Sequence, residues 1–251
     1  MKIALSLLLT LFFSQCIFAE NELFHKELSN IEQKYSFSDA FRIMELHIEK
    51  FPDDYAIKFK IANYLFYGRK GVEVNKPRAR EIYISLLQTL GHIQDKTPEY
   101  LYIIGISESN ATGNTALAFS FLLKSAESGY PIAEAEIAFR YMKGIGVKID
   151  TALASQWAKK ATLHNNSFGQ AIYGAYLLNI KKRYVDGYNL IKKSANTGNA
   201  GGLYMLFYCF YYGKGVEKDE DKALKYLELS SYQGFPDAVS KLQILRNKAN
   251  D

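Results

Sequence analysis

Two stretches of this chain repeat each other, and that repetition constrains its fold more than any other feature. MKGIGVKIDTALASQWAKKATLHN (142–165) and YGKGVEKDEDKALKYLELSSYQG (212–234) align without gaps at a separation of 69 residues. In each copy Val147 or Val216 is followed three residues on by Asp150 or Asp219, seven on by Ala154 or Ala223, and ten on by Trp157 or Tyr226. That separation is about twice the length of one helix–turn–helix unit. Intermediate units emerge when the ends of the second helices are aligned: Gly91, Gly129, Asn165, Gly198 and Gly234 fall at intervals of 38, 36, 33 and 36. Glycine or asparagine there suits the left-handed cap that closes a helix. Small residues recur where helices must approach closely, at Ala62, Gly105, Ala138 and Gly174 in first helices and at Ala79, Ala118, Ala154 and Ala223 in second helices. A helix pair of this length cannot bury its apolar stripe alone, so each pair needs neighbours, and the chain reads as an all-α solenoid.

These residues also carry a family resemblance. The pattern Ala-x-x-x-x-Gly-x-x-Tyr-x-x-Gly-x-Gly-Val-x-x-Asp-x-x-x-Ala-x-x-Trp resembles the Sel-one-like repeat, a longer-loop relative of the tetratricopeptide repeat. Residues 133–165 carry it best, through Ala133, Ala138 in place of glycine, Tyr141, Gly144, Gly146, Val147, Asp150, Ala154, Trp157 and Ala161. Residues 199–234 follow closely, with Phe207 at a small position and Phe210 in place of tyrosine, and 54–91 fit loosely. Units 92–129 and 166–198 lack the Gly-x-Gly-Val loop, are three residues shorter there, and look more like plain tetratricopeptide units. The resemblance implies a right-handed α-solenoid of about five repeats: 54–91, 92–129, 130–165, 166–198 and 199–234. An N-terminal capping hairpin (20–53) and a C-terminal capping helix (235–251) would cover the end repeats.

The first residues, MKIALSLLLTLFFSQCIFA (1–19), have a positive start, a short apolar run and a more polar approach to Ala19. This is the layout of a secretory signal peptide cleaved after Ala19, which places the mature chain in the periplasm without a stable membrane span. An uncleaved signal anchor, lipidation at Cys16 as an outer-membrane lipoprotein, and secretion beyond the envelope are the alternatives. Loss of Cys16 would leave Cys209 without an internal disulfide partner, most simply as a buried core residue.

The motifs of catalysis are missing from the sequence. It contains no Gly-x-x-x-x-Gly-Lys loop, dinucleotide fingerprint or His-Glu-x-x-His pair. His25, His47, His92 and His164 are scattered, and Ser125, Ser194 and Ser230 recur at similar repeat positions with no repeating base beside them. No catalytic residue, metal site or cofactor is expected. Lysines and arginines are interspersed with acids at a net charge of only +5, which argues against nucleic acid. The turns do lean basic, at Arg69, Lys70, Lys143, Lys148, Lys214 and Lys218, either as solvated loop charges or as a ridge along one edge.

The resemblance implies a non-enzymatic interaction module, monomeric, that binds a peptide or protein partner in a concave groove lined by first helices. By position that groove would comprise Phe59, Asn63, Phe66 and Tyr67, then Tyr102 and Ile106. Phe139, Met142 and Lys143 follow, with Phe168 and Leu178, and finally Tyr204, Tyr208, Tyr211 and Tyr212. First helices hold 12 of the 19 tyrosines, and tyrosine joins a large apolar area to a hydroxyl that tolerates water. Packing of these rings against the neighbouring hairpin is the competing reading. A secreted effector or host-contact factor with the same fold, and an envelope hydrolase acting on peptidoglycan or β-lactams, are the alternative functions.

Overall fold

The computed structural model describes Phe24, Leu28 and residues 36–250, with side chains through residue 247. The signal-peptide segment and most of the first part of the expected capping hairpin lie outside these residues. Twelve helices and no β-strand are found among the described residues. They divide into two compact units at Val74–Asn75.

The N-terminal unit contains α1 (Phe37–Lys50) and α2 (Tyr55–Tyr67). Ser36 Oγ accepts from Asp39 N at 3.2 Å and caps α1. The turn at 51–54 joins the helices through one carboxylate with two roles. Asp54 Oδ1 accepts from Ile57 N at 3.0 Å, capping α2, while Oδ2 lies 2.9 Å from His47 Nε2. Both side chains are buried, and the imidazole lies between the rings of Phe24 and Phe51, at centroid distances of 3.6 and 4.7 Å.

The C-terminal unit contains α3 (Lys76–Gly91), α4 (Pro98–Ala111), α5 (Thr115–Glu127), α6 (Pro131–Lys143), α7 (Thr151–Leu163), α8 (Ser167–Asn179), α9 (Tyr184–Asn196), α10 (Ala200–Tyr212), α11 (Glu220–Tyr232) and α12 (Pro236–Asn250). Consecutive helices pack as hairpins, each hairpin packs on the next, and α8 also touches both α6 and α10 directly. This is an all-α solenoid. Asp150 and Asp219 cap α7 and α11 as the loop pattern requires, accepting from Leu153 N and Lys222 N at 2.9 Å each.

The repeated serines are internal fasteners. Ser125 Oγ donates to the Pro98 carbonyl, Ser194 Oγ to Ser167 at 2.6 Å, and Ser230 Oγ to Ala200 at 2.7 Å. Each ties the end of a second helix to the first residue of its own hairpin's first helix. All three are fully buried, so burying the hydroxyl without cost requires that carbonyl partner.

Four of the five helix-closing residues take the left-handed conformation expected: Gly129, Asn165, Gly198 and Gly234, at φ between 58° and 82°. Gly91 does not. It is the last residue of α3, and the chain continues through a longer link to Pro98. The Lys96 ammonium supplies the closure instead, donating to the carbonyls of Gly91, at 3.2 Å, and Ile93.

The Gly-x-Gly-Val loops carry a second constraint beyond backbone freedom. Gly144, Gly146, Gly213 and Gly215 all have positive φ. Gly146 is also seated on the first residue of α5, where a Cβ would overlap the Thr115 carbonyl oxygen and lie 2.5 Å from its carbon. Gly215 repeats the arrangement on α9, with a Cβ overlapping the Tyr184 oxygen and 2.8 Å from its carbon. The helices so covered belong to the two short-turn units. In both places a short turn in one hairpin is overlaid by the long loop of the next.

Candidate functional site

The densest aromatic face is on α10, AGGLYMLFYCFYY, a helix apolar around most of its circumference. Leu203, Leu206, Phe207, Cys209 and Phe210 are buried. Tyr204, Tyr208 and Tyr212 follow one another at intervals of four and share one face. Their exposure increases along the helix: Tyr204 is 7% exposed, Tyr208 half-buried, and Tyr212 53% exposed. The hydroxyls of Tyr204 and Tyr208 are hydrogen-bonded at 3.2 Å, and the rings of Tyr208 and Tyr212 stack at 5.7 Å with a 14° tilt. Burial and that hydrogen bond hold the Tyr204 hydroxyl well above the ordinary phenol range. Tyr211 turns toward Phe207, at 5.3 Å, and lines no part of the cavity described next.

This face borders a cavity of about 370 Å³ between the ends of α6, α8 and α10 and the start of α12. Tyr204, Met205, Tyr208 and Tyr212 form one wall, Leu178 and Asn179 another, and Lys143, Lys214 and Asp237 the polar rim. A smaller pocket of about 80 Å³ continues from it, sharing Lys143, Tyr204, Met205 and Asp237. Phe139, Met142, Phe168, Ile172 and Phe235 make this second pocket apolar. Lys143 Nζ and Asp237 Oδ2 approach to 3.6 Å where the two pockets meet, and both side chains are about half exposed.

The structure thus brings together Phe139, Met142, Lys143, Phe168, Leu178, Tyr204, Tyr208 and Tyr212 from the expected set. Tyr204 is also the packing partner of Phe235, at 5.3 Å. Tyr102 is the equivalent residue of α4 and packs in the same way on Tyr130, at 5.6 Å; both rings meet the aromatic residue that opens the next first helix. Ile106 is buried in the core. Phe59, Asn63, Phe66 and Tyr67 lie on α2 in the N-terminal unit, where Phe59 is buried and Tyr67 is 44% exposed.

Sequence reasoning did not place Asn179, Met205, Phe235 or Asp237 at the site. The repeat itself contained a signal for two of them: Gly234-Phe235-Pro236-Asp237-Ala238 matches Gly129-Tyr130-Pro131-Ile132-Ala133. The C-terminal helix therefore begins as another first helix and contributes to the groove as one. The basic turns do not act alike. Lys218 pairs with Glu220 at 2.6 Å, Lys143 with Asp237, and Lys214 donates to Asn179 Oδ1 at 2.8 Å.

The buried carboxylate of the neighbouring helix is committed elsewhere. Glu134, fully buried in the first turn of α6, lies 2.8 Å from His164 Nδ1 and 3.1 Å from Lys160 Nζ, which ties α6 to the end of α7. Among the described residues, no group of three or more His, Cys, Asp or Glu side chains is arranged to hold a metal ion. No described helix is long and apolar enough to cross a membrane. Cys209 is fully buried, and burial pushes its thiol up to about 12. Iodoacetamide at pH 8 is therefore expected to leave Cys209 unmodified in the folded chain and to alkylate it fully in denaturant. Mass spectrometry of the intact protein reads both states.

The Sel1 repeat family model matches residues 58–85, 100–130, 131–166 and 200–235, just over half of the chain. The chain belongs to the Sel1 repeat family. Among solved structures, a Sel1 repeat protein from Oxalobacter formigenes is 21% identical, with 85% of this chain and 84% of that chain covered and a TM-score of 0.51. The immunity protein Pa5087 from Pseudomonas aeruginosa is 18% identical, with 87% and 84% covered and a TM-score of 0.54. The protective antigen c5321 of uropathogenic Escherichia coli is 23% identical at a TM-score of 0.49, and this chain spans 46% of its length. No curated protein matches the chain. The similarities to the Oxalobacter formigenes and Pseudomonas aeruginosa proteins show a shared fold. Of the helices around the cavity, α6 and α10 lie in matched Sel1 repeats, whereas α8 lies in the short-turn unit between them that the family model passes over.

Proposed function

We propose that this Sel1 repeat chain is a non-enzymatic interaction module of the bacterial cell envelope that holds a peptide segment of a partner protein in the α6–α8–α10 groove. One observation carries the reading. The first helices of three consecutive hairpins leave an open cavity whose wall is a tyrosine ladder running from buried to exposed, the composition of an interface anchor. The signal-like residues 1–19 support the envelope address, and the fold supports protein partners as the class. The contact set is Phe139, Met142, Tyr204, Tyr208 and Tyr212. Tyr211, Tyr102, Phe59, Asn63, Phe66 and Tyr67 serve packing or other surfaces.

Site-specific photocrosslinking in the producing cells tests this. A benzophenone side chain at Tyr212 is expected to give a discrete higher-mass adduct in the periplasmic fraction. The same group at Leu229, exposed on α11, is expected to give none. Equal adducts from both positions, or none from Tyr212, would remove the groove assignment; recovery of the chain in the cytosol would remove the envelope address.

A further inference from the structure

We propose that the segment held in this groove carries an acidic side chain, seated on Lys214 in the larger cavity, beside a small apolar side chain that fills the Phe139–Phe168–Phe235 pocket. This deepens the peptide-groove reading and rests on it.

The charge arrangement supports an acidic ligand. Two ammonium groups and one carboxylate rim the larger cavity. Lys143 and Asp237 face each other only loosely at 3.6 Å, both half exposed, where an ion pair contributes little and exchanges readily. Lys214 is different. It is half-buried, its Nζ is positioned by Asn179 Oδ1 at 2.8 Å and lies 6.0 Å from the Tyr212 ring centre, and no carboxylate pairs with it among the described residues. An ammonium with three donors, one of them used by a neutral amide, retains donors for an incoming carboxylate. The stacked rings of Tyr208 and Tyr212 line the same cavity as this ammonium and offer apolar surface to the stem of the acidic residue.

The geometry also points to the apolar neighbour. The second pocket is contiguous with the first through Lys143, Tyr204, Met205 and Asp237, and its volume of about 80 Å³ suits a small side chain rather than an aromatic ring. In a segment that runs along the groove through both pockets, the carboxylate is that of a side chain.

The test is selection of a random dodecapeptide phage library on the immobilised full chain. The peptides are fused through their C-termini and so present only side-chain carboxylates. Selected peptides are expected to be enriched in Asp or Glu next to Ala or Val. Lys214→Glu is expected to weaken the same peptides by about tenfold or more, about 1.4 kcal/mol, and to select Lys or Arg at the acidic position. Lys214→Met, which keeps the apolar stem against Tyr212, reports the loss of charge without reversal, and circular dichroism confirms that both variants fold. Peptides without acidic enrichment, or acidic peptides bound equally well by Lys214→Glu, would overturn this inference and leave the groove reading standing. An empty selection, or peptides retained undiminished by the Tyr208→Ser/Tyr212→Ser double variant, would overturn the groove reading and this inference together.

Discussion

Gly146→Ala is expected to destabilise the chain by about 2–5 kcal/mol, whereas Gly113→Ala, with a closely similar backbone angle, costs about 1–2 kcal/mol. Both glycines have positive φ, 73° at Gly146 and 77° at Gly113, so both variants force a left-handed conformation on an L-residue. Only the first must also place a methyl group against backbone. A Cβ at Gly146 overlaps the Thr115 carbonyl, which is fixed at the start of α5, while a Cβ at Gly113 meets nothing within 4 Å. Urea unfolding followed by circular dichroism compares the two. Equal losses would show that conformation alone governs the loop and that the seat on the preceding hairpin is incidental. The Gly146 variant is further expected to speed amide exchange at the start of α5 more than in α10 and α11, because a solenoid passes strain chiefly to neighbouring repeats.

Phe207→Ala is expected to cost about 3–5 kcal/mol, the range for truncating a buried aromatic residue. Phe207 has no exposed surface and stands among the rings of Tyr204, Tyr208 and Tyr211, at 6.0, 5.0 and 5.3 Å. It occupies a position where the best-matching repeat has Ala138, a substitution that volume alone would disfavour. The last hairpin accommodates it because small residues face the same core, with Ala223 and Ala238 fully buried beside it. Thermal unfolding measures the loss, and hydrogen exchange locates it. Protection should fall across α10, α11 and α12 while α4 and α5 keep theirs. Tyr212→Ala, on the same helix but 53% exposed, is expected to stay within about 0.5 kcal/mol of the parent chain. A comparable loss from both variants would mean that the α10 rings support one another and that Tyr212 is structural, which would weaken its assignment to the groove.

The helix pairs and the left-handed closures at Gly129, Asn165, Gly198 and Gly234 were readable because each depends on residues close together in the chain. Gly91 shows where that reading stops. Its residue type suits a left-handed cap, but the link that follows has room for Lys96 to close α3, and glycine's freedom is left unused. The serines show the opposite case. Ser125, Ser194 and Ser230 are a repeated reactive type in the sequence, yet their role follows from a carbonyl about thirty residues upstream, which no local pattern displays.

The candidate site divides in the same way. Repeat periodicity by itself determined that the chain is a helical solenoid and which helices carry the tyrosines, because period, capping and small-residue spacing are short-range properties of the backbone. It did not determine which rings are open. Tyr204 and Tyr212 have the same chemistry, lie on the same helix and share a face, yet one is 7% and the other 53% exposed. That difference is set by Phe235 and the start of α12, which pack over the first turns of α10 and leave its end uncovered. Burial is the sum of what distant segments place against a side chain, so only the packed tertiary structure decided where this surface opens.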